Sequence, residues 1–186
     1  MRTFLCIPID RGHRDKIAEL SQELRSQIDT HASWVAPENY HITVRFLGDI
    51  APMLTVDLER ACREITVGTP AFSVPIDRVG AFPSLDQPRV VWVGGEAVPP
   101  FRRLLSKIGD ALIPLGFPQS REETFAHVTL ARIKGRIRPS FDASMAGLGR
   151  KIAWNLRADR LVLMESKLTS RGAVYYPLFT LPLAGE

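Results

Sequence analysis

WVAPENYHITVRFLGDI (residues 34–50) and FAHVTLARI (residues 125–133) are the two stretches that decide how this 186-residue chain folds. Each holds a His-x-Thr followed by an apolar residue: His41-Ile42-Thr43-Val44 in the first, His127-Val128-Thr129-Leu130 in the second. Side chains of a strand alternate between its two faces. His41 and Thr43 therefore share one face while Ile42 and Val44 turn to the other, and His127 and Thr129 are set against Val128 and Leu130 in the same way. Both stretches are entered through a helical segment and a linker containing proline, Pro37 or Pro118. The histidines stand 127 − 41 = 86 residues apart, nearly half the chain. The repeated order predicts two lobes related by an approximate twofold, with the two His-x-Thr strands face to face across a cleft.

Outward from these strands the pattern is mixed. Residues 3–9 form a short apolar strand. Ile17, Leu20, Leu24 and Ile28 recur at helical spacing and predict a helix over 14–28. A second helix is expected over 52–65, stopped by Gly68 and Pro70. A third opens at Pro99 and Pro100, repeats Leu104, Ile108 and Leu112, and ends at Gly116. Strands are expected over 40–47, 71–79, 89–93, 125–131, 152–156, 160–164 and 174–181, with a turn at Phe82-Pro83-Ser84. Few long helices and many short strands predict an α+β fold, a single bilobal domain over 1–186 with helices outside two antiparallel sheets, one in each lobe.

Composition narrows the function. No apolar run approaches the roughly 20 residues that span a bilayer, and the N-terminus lacks the longer apolar region of a secretory signal, so a cytoplasmic protein is expected. Cys6 and Cys62 are too few and too far apart for a disulfide framework or a thiolate zinc site, and read as buried thiols. The formal charge of +4 favours polyanionic partners. Part of it is concentrated in the basic run Arg132-Ile133-Lys134-Gly135-Arg136-Ile137-Arg138 behind the second motif.

Two imidazoles flanked by two hydroxyls suit phosphodiester cleavage. One histidine takes a proton from attacking water, the other protonates the departing oxygen, and Thr43 and Thr129 hydrogen-bond the phosphate oxygens. Imidazole titrates near neutrality, so both states are accessible. A single His-x-Thr arises by chance; two in matching contexts use half of the four histidines. His13 and His31 have no role. No metal is expected, because HExxH, His-x-His and a third ligand are all missing. There is no P-loop and no G-x-S-x-G. A non-catalytic RNA-binding module would keep the basic run and the aromatics Phe4, Trp34, Tyr40 and Phe46 without needing paired histidines. Arg45 has the strand parity of His41.

The two stretches resemble the 2H phosphoesterases, and most closely the RNA 2′,3′-cyclic phosphodiesterases once called LigT-type 2′-5′ RNA ligases. The similarity extends to Arg2-Thr3-Phe4, Arg89-Val90-Val91-Trp92-Val93-Gly94 and Leu163-Met164-Glu165-Ser166. It implies a bilobal fold with pseudo-twofold symmetry and a central groove. It implies metal-free hydrolysis of RNA 2′,3′-cyclic phosphates to 2′-phosphomonoesters without a cofactor, by a monomer. It assigns His41 as proton donor, His127 as proton acceptor and Arg132 as a phosphate or base contact. Arg132 lies an odd number of residues from His127, so a regular strand would put it on the wrong face; the strand must end, twist or bulge near Ala131, or the long side chain must curl around. Reversible 2′-5′ joining of tRNA halves is the alternative reaction for the same residues. Where the family often has Asp in the first strand, this chain has Pro8.

Overall fold

The computed structural model describes residues 1–28, 31–119, 125–135, 145, 147–148, 152–170 and 172–184. In chain order these form β1 (Arg2–Pro8), α1 (Arg11–Gln27), β2 (Ala32–Trp34), a 3₁₀ turn (Pro37–Asn39), β3 (His41–Asp49), α2 (Leu54–Val67), β4 (Phe72–Ile76), β5 (Arg78–Phe82) and β6 (Val90–Glu96). They continue with α3 (Pro99–Leu112), a second 3₁₀ turn (Ile113–Leu115), β7 (Phe125–Ile133), β8 (Trp154–Ala158), β9 (Arg160–Thr169) and β10 (Gly172–Pro182). The fold is α+β. Helix α1 starts where Asp10 caps it, its carboxylate accepting from the His13 backbone N–H at 3.0 Å. Its apolar stripe, Ile17, Leu20 and Leu24, is buried as the spacing requires.

The large sheet runs β10-β9-β1-β3-β7-β6-β5, with β2 also paired to β7. It is built from two copies of one unit. In the first, β1 and β3 are antiparallel neighbours joined through α1; in the second, β6 and β7 are antiparallel neighbours joined through α3. The halves meet edge to edge where β3 lies beside β7, and there a single pair, Ile42 with Val128, is in register. The pairing joins the central residue of one His-x-Thr to the central residue of the other. The approximate twofold therefore passes through this point, and the two lobes are continuous through one seam.

Each face of the sheet has a separate fate. Leu5, Ile7, Ile42, Val128 and Val93 turn to one side and merge with Ile17, Leu24, Leu58, Phe101, Leu104 and Leu112 of the three helices into the main core. The opposite face carries a smaller cluster of Phe4, Cys6 and Val162, with Met164 and Tyr175 against it. That face keeps the histidines.

Two expectations change in detail. The lobes do not carry separate sheets facing across a cleft: the His-x-Thr strands β3 and β7 lie side by side in one sheet. Segment 71–79 is not one strand: at Asp77, whose N–H bonds the Gly94 carbonyl at 3.0 Å, the chain leaves β4 and enters β5. Strand β4 pairs with β8 in a separate two-stranded sheet, while β5 forms the edge of the large one. Both cysteines are buried as free thiols, and burial pushes each up to about 12. Among the described residues, no helix is long and apolar enough to cross a membrane. The basic run is described only as far as Gly135, so Arg136 and Arg138 lie outside the described residues.

Candidate active site

The site grows out of the seam. Ile42 and Val128 are 1% and 0% exposed, and anchoring them in the core forces His41, Thr43, His127 and Thr129 onto the other face. Because β3 and β7 are antiparallel, His41 lies on the side of Thr129 and Thr43 on the side of His127. The repeated motif thus becomes one cluster with two imidazoles and two hydroxyls.

Both rings are oriented from behind by the chain itself. His41 Nδ1 donates to the backbone carbonyl of Asn39 at 2.7 Å. Its Nε2, 3.1 Å from the Thr43 hydroxyl, accepts from that group when the ring is neutral. His127 also has a backbone carbonyl acting on it, that of Phe125, which favours its protonated form. In each case the carbonyl lies two residues upstream of the ring.

Aromatic walls enclose the histidines. Phe4 lies 4.7 Å from His41, and Tyr175 presents its edge at 5.5 Å. Phe82 and Trp92 flank His127 at 5.0 and 5.9 Å. Burial against these apolar surfaces penalises the charged imidazole and lowers both pKa values. His41 is held down to about 4, by burial first and then by the positive fields of His127 and Arg132, with the Asn39 carbonyl opposing them. In the free protein both rings are therefore largely neutral at pH 7.

The parity problem at Arg132 is solved by a bulge. Val91 pairs with Ala131 but Trp92 pairs with Thr129, leaving Leu130 as the extra residue on β7. Leu130 and Ala131 are both buried, and Arg132 emerges exposed on the face of His127 and Thr129. Strand β3 does the same. Leu5 pairs with Arg45 and Cys6 with Thr43, so Val44 is extra, again three residues after the histidine. This corrects the reading of Arg45, whose parity flips: its Nη2 donates to the Pro118 carbonyl behind the sheet. In its place Phe46 comes to the histidine face, paired with Phe4 and 67% exposed. Phe46 and Arg132 hold the same position, five residues after their histidines.

Of the other aromatics, Tyr40 is buried in the core and Trp34 packs partly buried on β2, so neither faces the histidines. His13 is bonded to Asp10 at 2.6 Å, and His31 contributes its backbone carbonyl to Lys134 and Gly135. Gly94 pairs directly with His127, and a Cβ there would meet the Ala126 carbonyl at 2.4 Å and His127 Cβ at 3.0 Å. Sequence reasoning missed it, although a Gly-Gly pair inside an apolar strand was the available sign of close backbone approach. The described residues hold no cluster of three His, Cys, Asp or Glu side chains that could ligate a metal.

Comparison with known proteins agrees with this fold. The family model of LigT-like phosphoesterases matches residues 7–92. An RNA 2′,3′-cyclic phosphodiesterase of Methanothermobacter thermautotrophicus is 30% identical over 94% of this chain and 95% of its own. Among solved structures, the TT0787 protein of Thermus thermophilus superposes with a TM-score of 0.80 at 21% identity, covering 100% of both chains. E. coli LigT complexed with 3′-AMP gives 0.74 at 21% identity over 98% of this chain and 97% of that one. An α+β fold with two His-x-Thr strands meeting at a pseudo-twofold seam defines a 2H phosphoesterase. Within that superfamily, this chain belongs to the LigT-like phosphoesterases.

Proposed function

We propose that the chain hydrolyses 2′,3′-cyclic phosphate ends of RNA to 2′-phosphomonoesters, with His41 and His127 as an acid–base pair. The observation that carries the reading is the seam. It sets two imidazoles and two hydroxyls on one face, the His41 ring fixed in its tautomer by the Asn39 carbonyl. The names of the relatives supply the substrate class.

His127, neutral, accepts a proton from water as that water attacks phosphorus. The P–O3′ bond breaks on the opposite side, and protonated His41 delivers its Nε2 proton to O3′. The Thr43 and Thr129 hydroxyls and the Arg132 guanidinium take the phosphate oxygens, where negative charge grows. Phe46 offers an exposed ring on which the terminal base stacks. No cofactor enters these steps. All these groups come from one chain, so a monomer suffices, and RNA ends of this kind are consistent with work in the cytoplasm.

The test is to incubate the protein in EDTA with an RNA ending in a 2′,3′-cyclic phosphate. Conversion to the 2′-phosphomonoester is expected. A 3′-phosphate product, or a requirement for added metal, would overturn the reading. Joining to a second RNA with a free hydroxyl, in preference to hydrolysis, would replace it with the ligation alternative.

A further inference from the structure

Asn39 is bonded at both ends. Its backbone carbonyl accepts the Nδ1 proton of His41 at 2.7 Å. Its side-chain amide donates to the carbonyl of Ala173 on β10, also at 2.7 Å and 134 residues away in sequence. Two residues beyond Ala173, Tyr175 stands edge-on to the His41 ring. The residue that orients the imidazole therefore also ties down the strand that walls it in. The carbonyl behind His127 has a different anchor: the Phe125 side chain packs on Trp92 at 5.3 Å.

We infer that Asn39 is a positioning residue for proton delivery, its Ala173 cross-link holding the carbonyl that fixes the His41 tautomer. The inference rests on the proposed role of His41 as acid. When His41 gives up its Nε2 proton, the ring is left carrying Nδ1–H, the form that the Asn39 carbonyl stabilises. Without the cross-link, the short turn over Pro37–Asn39 is free to swing the carbonyl away. The neutral ring then populates both tautomers, and Nε2 is no longer aimed at one place.

The experiment compares wild type with Asn39→Ala and the isosteric Asn39→Asp, which sets an acceptor against the Ala173 carbonyl. Nitrogen-edited NMR of His41 at neutral pH should show Nδ1–H alone in wild type and a mixture of tautomers in both variants. The His127 signals should not change. The kcat on a cyclic phosphate should fall roughly three- to tenfold, the weight of one hydrogen bond, with KM nearly constant. An aryl phosphodiester whose leaving group needs no proton should recover most of the loss. A folded variant that keeps a single His41 tautomer and wild-type kcat would overturn the inference, as would an equal loss on the aryl ester. If wild type itself fails to hydrolyse cyclic phosphate, the functional reading falls, while the NMR comparison still decides whether Asn39 fixes the ring.

Discussion

A general acid at neutral pH needs its proton, yet the free protein holds His41 down to about 4. On the proposed mechanism the substrate must supply the difference. Two of the causes that depress His41, the charges of His127 and Arg132, are the ones a bound phosphate would neutralise. A negative charge about 4 Å from the ring, at an effective dielectric near 20, is worth about 4 kcal/mol. At 1.36 kcal/mol per pH unit this amounts to roughly three units, which would lift His41 to about 7 in the complex. Between the free and bound values His41 takes up a proton when the anion binds, so affinity should rise up to about tenfold for each unit of acidification. Sulfate is the probe, because its charge is constant across this range. Calorimetry from about pH 7.5 to pH 4.5, in buffers of different ionisation enthalpy, would give affinity and proton uptake together. His41→Gln should remove the share due to His41, leaving only that of His127. Sulfate affinity that does not vary with pH in wild type, or an identical slope in His41→Gln, would refute the argument.

Stability should carry the same signature. The folded value of His41 lies below its ordinary 6.5, so the neutral ring's contribution is present above that pH and lost as pH falls toward 4, by at most about 3 kcal/mol. Urea midpoints should drop over that window in wild type and drop less in His41→Gln. Thr43→Ala and Thr129→Ala should each slow turnover, by up to about 10²–10³-fold, with unchanged thermal melting; wild-type rates in both would remove the hydroxyls from the mechanism. Gly94→Ala puts a Cβ against the Ala126 carbonyl and His127 and should cost about 1–3 kcal/mol along with much of kcat. A variant as stable and as active as wild type would show that the close approach is not needed.

Strand periodicity made the centre of the site legible. The alternation around His41 and His127 fixes which side chains enter the core, and burial of Ile42 and Val128 follows from it. The stripe of α1 and the Leu104, Ile108 and Leu112 repeat of α3 were equally plain, because a helix has one periodicity and each met a single apolar partner. The bulges could not be read directly. Val44 and Leu130 are ordinary strand residues, and nothing local marks them as extra; the bulge is a property of pairing with β1 and β6. Only the oddness of the step from His127 to Arg132 pointed to one. The same oddness went unused on β3, where it exchanges Arg45 for Phe46. The aromatic walls were illegible for another reason. Tyr175 and Phe82 reach the histidines through β10 and β5, strands remote in sequence whose neighbours are chosen by the whole sheet.

On the proposed mechanism, the difference between Phe46 and Arg132 also lets a nearly symmetric fold perform an asymmetric reaction. Two imidazoles related by a twofold suit in-line displacement, since attack and departure occur on opposite sides of phosphorus. Symmetry alone cannot say which ring receives the water. The residues five positions on break the tie: one half of the fold places an exposed aromatic ring there, the other a guanidinium whose positive field falls on His41. On the proposed mechanism, a phosphate drawn to Arg132 is held on the His41 side of the cluster, and its far face is left toward His127, where water can approach. On this reading, proton donation by His41 and acceptance by His127 follow from where the phosphate is held. They do so even though, in the free protein, His41 is pushed down to about 4.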